Sequence, residues 1–314
     1  MNSSVPALFA FGDSLVDAGD NAHVGYPYGI DFPGGQASRF CNGRLLVEYI
    51  ALHLGLPLPP AYFQAGNNIL QGANFGSAGS GILSQTHTGG GQALASQIDE
   101  FRSLKQKMVQ MIGSSNASTL VAKSIFYICS GNNDINNMYQ RTRRISQSDE
   151  QTIINTFVNE LQTLYNLGAR KFVIVGLSAV GCIPLNVVGG QCASIAQQGA
   201  QIYNNMLQSA LENLRNSHKD AQFVMTNFYG LMVDVHNNPQ SYGFIDSTSA
   251  CCPQGSHTLN CNSGARLCQD RTKYAFWDGI HQTDAFNSMA AHRWWTGATS
   301  GDVSPISISE LASS

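Results

Sequence analysis

The sequence predicts an α/β protein in which a mainly parallel sheet is covered by helices on both faces. Apolar runs of strand length alternate with longer segments of helical periodicity along the whole chain, giving five strand-helix units. The 314 residues suit one such unit with a sizeable core, and no linker-like stretch divides them, so a single domain over 1–314 is expected.

The first strand is the apolar run Ala7-Leu8-Phe9-Ala10-Phe11, which stops at Gly12. Residues 44–54 have helical periodicity and end before Gly55 and a proline-rich loop reaching Pro60. A second strand is expected near 72–75, followed by the small-residue turn Gly76-Ser77-Ala78-Gly79-Ser80-Gly81. Residues 92–112 read as a long amphipathic helix and 124–129 as the third strand, and 148–167 is helical up to Gly168. Lys171-Phe172-Val173-Ile174-Val175 is the clearest buried strand, and a helix over 194–214 with a strand over 222–226 completes the alternation. The cysteine-rich stretch 246–270 reads as a surface loop held by bridges, and 283–295 as a closing helix. Internal repeats and low-complexity tracts are absent.

Net charge is −3 with Lys and Arg scattered, and the isoelectric point is about 6.2. That leaves no electrostatic footprint for nucleic acid or an anionic membrane, and neutral partners are expected. Charged residues make up 12% of the chain against roughly 25% in average proteins, with Ser, Asn, Gln and Gly filling the surface instead. This balance suits an extracellular protein. No apolar segment reaches the roughly 18 residues needed to cross a bilayer, and Met1-Asn2-Ser3-Ser4 has neither a basic nor an apolar leader region.

Six of the eight cysteines fall in two tight clusters, Cys182 with Cys192, then Cys251, Cys252, Cys261 and Cys268. Disulfides in a secreted protein account for such clustering, so a signal peptide is expected to be missing from the chain. Zinc is the rival reading of the second cluster, but paired C-x-x-C spacing is absent and its one histidine, His257, is off pattern. Four clustered cysteines allow three pairings, and those that avoid joining the neighbours Cys251 and Cys252 are expected. Cys129, in an apolar run, reads as a buried thiol, while Cys41 is left open. Asn2 and Asn116 begin N-x-S sequons, consistent with a glycoprotein of the secretory pathway.

Chemistry-bearing residues gather at strand ends. In Phe11-Gly12-Asp13-Ser14-Leu15, Ser14 would be displayed just past the carboxyl end of the first strand, where open α/β sheets bind ligands. A serine there is placed as a nucleophile but needs a base, and Gly-Asp-Ser is also plain turn chemistry. Near the C-terminus, Phe276-Trp277-Asp278-Gly279-Ile280-His281 sets Asp278 three residues before His281 at the entry to the last helix. That spacing lets the carboxylate hold one ring nitrogen while the other takes the serine proton. The same pair also occurs as a helix cap beside a half-exposed histidine. The turn around Gly79 offers unhindered N–H groups to a developing oxyanion, and Ser130-Gly131-Asn132-Asn133-Asp134 offers carboxamide donors directly after the third strand. All of these lie on one face of such a sheet, and their agreement outweighs the blander reading of each.

Taken in order, Gly12-Asp13-Ser14-Leu15, Asn74-Phe75-Gly76-Ser77-Ala78-Gly79-Ser80-Gly81, Gly131-Asn132-Asn133-Asp134 and Asp278-Gly279-Ile280-His281 resemble the four blocks of the GDSL esterase/lipase (SGNH hydrolase) family. The likeness runs over nearly the whole chain. Gly181-Cys182-Ile183-Pro184 and the paired cysteines before Phe276-Trp277-Asp278 resemble the plant branch in particular. The resemblance implies a three-layer α/β/α sandwich, flavodoxin-like, with a five-stranded sheet. It implies Ser14 as nucleophile, His281 as general base and Asp278 as the group orienting the imidazole. It also implies an oxyanion hole made by the Ser14 N–H, the Gly79 N–H and the Asn133 side chain. Asn133 is preferred to Asn132 because it directly precedes Asp134, as in the family's Asn-Asp. Four positions depart from the family pattern. Asp20 stands where plant members often carry Asn, Asn132 where Ser is common, Gln282 where Pro usually follows the histidine, and Cys41 where Ser is frequent. None removes a catalytic group.

The implied reaction is hydrolysis of a carboxylic ester through an acyl-Ser14 intermediate, with no metal or organic cofactor. Two alternatives use the same chain. One is an acyltransferase passing the acyl group to an alcohol, as in polyester or hydroxycinnamoyl ester synthesis; the other is a silent binding protein on this scaffold, which the four intact blocks argue against. The expected substrate is a small or polymer-linked ester met outside the cell, in the apoplast or cell wall, with its acyl and alcohol parts chosen by loops. Tyr26, Tyr28, Phe32, Tyr62, Phe63 and Tyr139 read either as packing under long loops or as the lining of an acyl or phenolic pocket.

Overall fold

In the computed structural model, which describes residues 5–21, 24–35, 38–87, 90–252, 261–297 and 301–314, the N-terminal apolar run becomes β1 (Leu8–Gly12), buried throughout. Then follow α1 (Leu46–His53), β2 (Gly72–Asn74), α2 (Leu94–Ile112), α3 (Ser114–Lys123), β3 (Ile125–Cys129), α4 (Asn132–Thr142) and α5 (Gln147–Asn166). Next come β4 (Lys171–Val175), α6 (Ser194–Ser217), β5 (Gln222–Thr226) and α7 (Phe228–Asn237). The C-terminal part adds β6 (Asp246–Ala250), β7 (Tyr274–Phe276), α8 (Asp284–Thr296), β8 (Val303–Ser304) and α9 (Ile308–Ser313).

The main sheet runs in the order β2-β1-β3-β4-β5-β8. Its first five strands are parallel, as the alternation predicts, with Leu8 opposite Ile125 and Gly12 opposite Cys129. The two-residue β8 joins antiparallel on the β5 edge, a sixth strand too short to leave a hydrophobic pattern. Because β2 and β3 flank β1 on opposite sides, the winding reverses at β1. The crevice beyond the carboxyl ends of β1 and β3 is therefore the topological switch point, where sheets of this kind take their ligands.

Period 2 divides the strand side chains between two cores. Leu8, Ala10, Ile125, Tyr127, Val173 and Val224 pack with α1, α7, α8 and α9. Phe9, Phe11, Phe126, Ile128, Phe172 and Phe223 face α2, α3, α5 and α6. The second core is knit by aromatic contacts, with Phe101 of α2 edge-on to both Phe9 and Phe126 at 5.1 Å between centroids. On α6, Ala196, Ala200, Tyr203, Leu207, Leu211 and Leu214 are buried at three- and four-residue steps, one stripe against the sheet.

The expected helix over 92–112 ends at Ile112 as α2; Gly113 (φ 82°) follows it, and α3 is a further helix that the sequence analysis did not expect. The cysteine-rich stretch is more than a loop, since it opens with β6, which pairs in parallel with β7. Its bridges are Cys251–Cys268 and Cys252–Cys261, which avoid the neighbouring pair, and Cys182 joins Cys192. With those four cysteines paired to one another, no thiolate remains for zinc; His257, like Asn2, lies outside the described residues. Cys129 and Cys41 are both buried free thiols. Asn116 is exposed on α3. Among the described residues no helix is long and apolar enough to cross a membrane.

Candidate active site

The site begins where β1 ends. At Gly12, φ is 149° and a Cβ would run into the Cys129 carbonyl of β3, so only glycine lets the two strands stay paired this far. Gln97, fully buried on α2, grips this residue from the side. Its Oε1 accepts the Gly12 N–H at 2.9 Å and its Nε2 donates to the Gly12 carbonyl at 2.9 Å. The chain then turns, Asp13 Oδ1 accepting the Leu15 N–H at 3.0 Å, and half-buried Ser14 emerges into a cleft.

Ser14 Oγ lies 2.8 Å from His281 Nε2, and His281 Nδ1 lies 2.9 and 2.8 Å from Asp278 Oδ1 and Oδ2. With a carboxylate as its partner, Nδ1 carries the ring proton, which leaves Nε2 to accept from the serine hydroxyl. Asp278 Oδ1 also accepts the backbone N–H groups of Ile280 and His281 at 2.8 and 2.7 Å. The three-residue spacing thus folds into a turn wrapped around its own carboxylate. Asp278 is fully buried and His281 nearly so, its ring 4.9 Å from that of Phe40.

The Gly79 turn is fastened to the same strand end. The Ser77 N–H and Ser80 Oγ both donate to the Gly12 carbonyl at 2.9 Å, and Asp17 Oδ2 accepts the Ala78 N–H at 2.8 Å. Gly79 itself adopts φ 79°, in the left-handed region that glycine tolerates best. Among the described residues, neither the Ser14 nor the Gly79 N–H meets an acceptor. Asn133 Nδ2 gives one hydrogen to the Ser80 carbonyl at 2.7 Å and keeps its second. Ser14, Asn132 and Asn133 line one cleft.

Residues 8–294 match the family profile described as GDSL-like Lipase/Acylhydrolase. The chain belongs to this family. It is 36% identical to "GDSL esterase/lipase At1g29660" of Arabidopsis thaliana, covering 98% of this chain and 92% of that protein. "GDSL esterase/lipase 7" of the same plant is 37% identical over 98% of this chain and 92% of its own length. Solved structures resemble it more distantly. A putative GDSL-like lipase from Parabacteroides merdae shares 12% identity at a TM-score of 0.45, over 95% of this chain and 97% of that one. The protein is accordingly a carboxylic ester hydrolase of the GDSL family.

Several residues of this GDSL hydrolase matter to the site in roles that the sequence analysis did not assign to them. Tyr28, grouped from sequence with packing or pocket-lining aromatics, donates its phenol proton to Asp278 Oδ2 at 2.7 Å while accepting the Cys261 N–H at 3.1 Å. Burial, then the neighbouring Asp278 charge, pushes the Tyr28 phenol well above its ordinary range, so it keeps the proton it donates to Asp278. Asp134 accepts the Ile82 and Leu83 N–H groups at 2.9 and 3.0 Å, tying the Asn132-Asn133 segment to the glycine-rich turn. Burial raises the Asp13 carboxyl to about 7, opposed by its hydrogen bond from Leu15 and by His281.

Of the other loop aromatics, Phe32 lies 4.0 Å under the Arg39 guanidinium, Tyr62 leans on Phe75 at 5.0 Å and on Phe63 at 5.2 Å, Arg143 covers Tyr139 at 4.7 Å, and Tyr26 and Phe63 are exposed. Of the four departures from the family pattern, Gln282 lines the cleft, and Asn132 Oδ1 accepts from the Ser178 N–H and hydroxyl at 3.0 and 2.8 Å. Asp20 accepts the Tyr62 and Phe63 N–H groups at 2.9 and 3.0 Å, and the Cys41 thiol donates to the Gly43 carbonyl at 3.0 Å.

Proposed function

We propose that this ester hydrolase is a secreted enzyme that works through an acyl-Ser14 intermediate, with His281 as general base and Asp278 orienting it. The unbroken row from Ser14 Oγ through both ring nitrogens of His281 to Asp278 carries this reading. Ser14 Oγ attacks the ester carbonyl carbon as Nε2 takes its proton, and the same Nε2 then returns the proton to the departing alkoxide. Water repeats the path on the acyl-enzyme. The Ser14 N–H, the Gly79 N–H and the second hydrogen of Asn133 Nδ2 receive the oxyanion; the unsatisfied state of both backbone groups supports that assignment. Three disulfides support an extracellular, oxidising setting.

The test is p-nitrophenol release from acetyl to palmitoyl esters, with and without an added alcohol acceptor. Ser14→Ala is expected to lose about 10⁴ or more in turnover and to lose labelling by a fluorophosphonate probe. Residual release near the wild-type rate in that variant would overturn the assignment. Alcohol-dependent ester formation would move the second step from hydrolysis to transfer.

A further inference from the structure

We infer that Asn132 and Asn136 form a donor-only subsite beside Ser14 for the oxygen atoms of an uncharged, hydroxylated alcohol group on the substrate ester. The inference rests on the proposed role of Ser14 and adds what the leaving alcohol must look like.

The two asparagines stand four residues apart on α4, so they share one face of that helix, and that face borders the cleft holding Ser14. Their carboxamides are oriented by partners of unambiguous polarity. The Ser178 N–H can only donate, so the Asn132 atom 3.0 Å from it is Oδ1, and Nδ2 is turned away from Ser178. On the second residue the logic takes one more step. The Val180 carbonyl can only accept, so the Asn186 atom 2.8 Å from it is Nδ2. That Nδ2 also donates to Asn136 at 3.1 Å, which makes the Asn136 atom Oδ1. Gln140 Nε2 closes the network by donating to Asn186 Oδ1 at 2.6 Å. Both acceptor oxygens are thereby occupied inside the protein. Among the described residues neither Nδ2 has an acceptor.

The rest of the cleft says what these donors face. Leu15, Val180, Ile183 and Ile280 make its apolar wall; its lining holds no Lys or Arg, and its one carboxyl is the buried Asp13. A charged group would find no counter-ion there, and a plain hydrocarbon would leave the amide hydrogens without partners once water was expelled. Hydroxyl and ether oxygens satisfy them. Side chains four apart on a helix sit about 5–6 Å from each other, within reach of two oxygens of a single polyol. The acyl chain would then lie along the apolar wall. Glycerol esters and acylated sugars present the same chemistry.

Asparagine-to-aspartate exchanges test this without disturbing the network, because Oδ1 keeps its bonds to Ser178 or Asn186 while the free donor becomes an acceptor. The reading is kcat/KM on glyceryl monobutyrate, 6-O-butyrylglucose and butyl butyrate, which share one acyl group. Wild type should prefer a polyol ester over butyl butyrate, and Asn132→Asp and Asn136→Asp should each cut that preference about 5- to 10-fold. A fall seen only with the glyceryl ester assigns the subsite to glycerides, and one seen only with the glucose ester assigns it to sugars. An unchanged preference, or wild type favouring butyl butyrate, overturns the proposal. Binding of 1-O-butylglycerol to the Ser14→Ala protein, measured by calorimetry, separates the two readings. Weakening of about 5- to 10-fold by Asn136→Asp supports the subsite whatever Ser14 does, and no weakening rejects it even if Ser14 is the nucleophile.

Discussion

Tyr28 and Asp278, 250 positions apart in the chain, share a 2.7 Å hydrogen bond whose proton has no other destination, because the Cys261 N–H already occupies the phenol oxygen. The carboxylate behind His281 is therefore held from three directions: by its own turn, by the imidazole and by a phenol delivered from a distant loop.

Tyr28→Phe removes that bond and keeps the ring's contacts with Phe40 and Trp277 at 5.7 and 6.4 Å. Turnover on p-nitrophenyl esters is expected to fall about tenfold with KM nearly constant. In an Asp278→Asn background the same change should add little, because the partner is gone. Fully additive losses in that double-mutant cycle would show that the phenol acts independently of Asp278, through the Cys261 N–H it accepts.

Asn133→Ala deletes the side-chain donor proposed for the oxyanion and is expected to cost about 10² to 10³ in kcat, with the melting temperature held within a few degrees. Asn132→Ala, one residue away and turned toward Ser178, should cost turnover on p-nitrophenyl esters far less. The reverse ranking would shift the oxyanion assignment by one residue.

Gln97→Leu leaves the buried Gly12 N–H without an acceptor, whereas the Gly12 carbonyl keeps its bonds from Ser77 and Ser80. An orphaned buried N–H costs about 1–3 kcal/mol, so denaturant unfolding should show a loss of that size. Activity should fall as well, since the gripped peptide is two residues from Ser14. A variant with wild-type stability would show that water fills the place of the amide.

The pH dependence of stability follows from Asp13. Its carboxyl sits at about 7 in the folded protein, raised by burial, against about 3.9 in an unfolded chain. Between those values the folded state holds the extra proton, so stability is full below about pH 4 and declines as pH rises toward 7. The loss from this group is on the order of 4 kcal/mol at most. Asp20 at about 6 and Glu100 at about 7 act in the same direction, more weakly because solvent screens them, and buried Glu150 at about 7 adds to it. Melting should occur at higher temperature at pH 5 than at pH 7.5, and Asp13→Asn should narrow the gap. A gap of the same size in that variant would remove Asp13 as its source.

Thiol titration checks the covalent frame. Burial pushes both the Cys41 and Cys129 thiols well above their ordinary range. A disulfide-exchange reagent at pH 8 should find almost no thiol in the folded protein and two in denaturant, matching the two free cysteines. Four or more in denaturant would mean an open bridge.

Much of the fold was legible because parallel strands buried on both faces have to be apolar throughout, and β4 and β5 fall at the predicted positions. Helix α4 was hidden because its sequence is dominated by Asn and other polar residues, and only Asp134 and Ile135 on it are fully buried. The polar α3 gave as faint a pattern, with Ala117 and Val121 its only buried residues. The Ser14, Gly79, Asn133 and Asp278–His281 segments could be found because each is a short stretch at the end of an element. Tyr28, Gln97 and Asp134 act on partners 250, 85 and 52 residues away, and such couplings exist only once the sheet has brought strand ends together.

The Cys252–Cys261 bridge fixes the residue whose N–H orients Tyr28, and through Tyr28 it reaches Asp278, His281 and Ser14. That cysteine pair is thus mechanically continuous with the Ser14–His281–Asp278 row. Until that bridge closes, the Asp278 carboxylate lacks one of its three fixed supports.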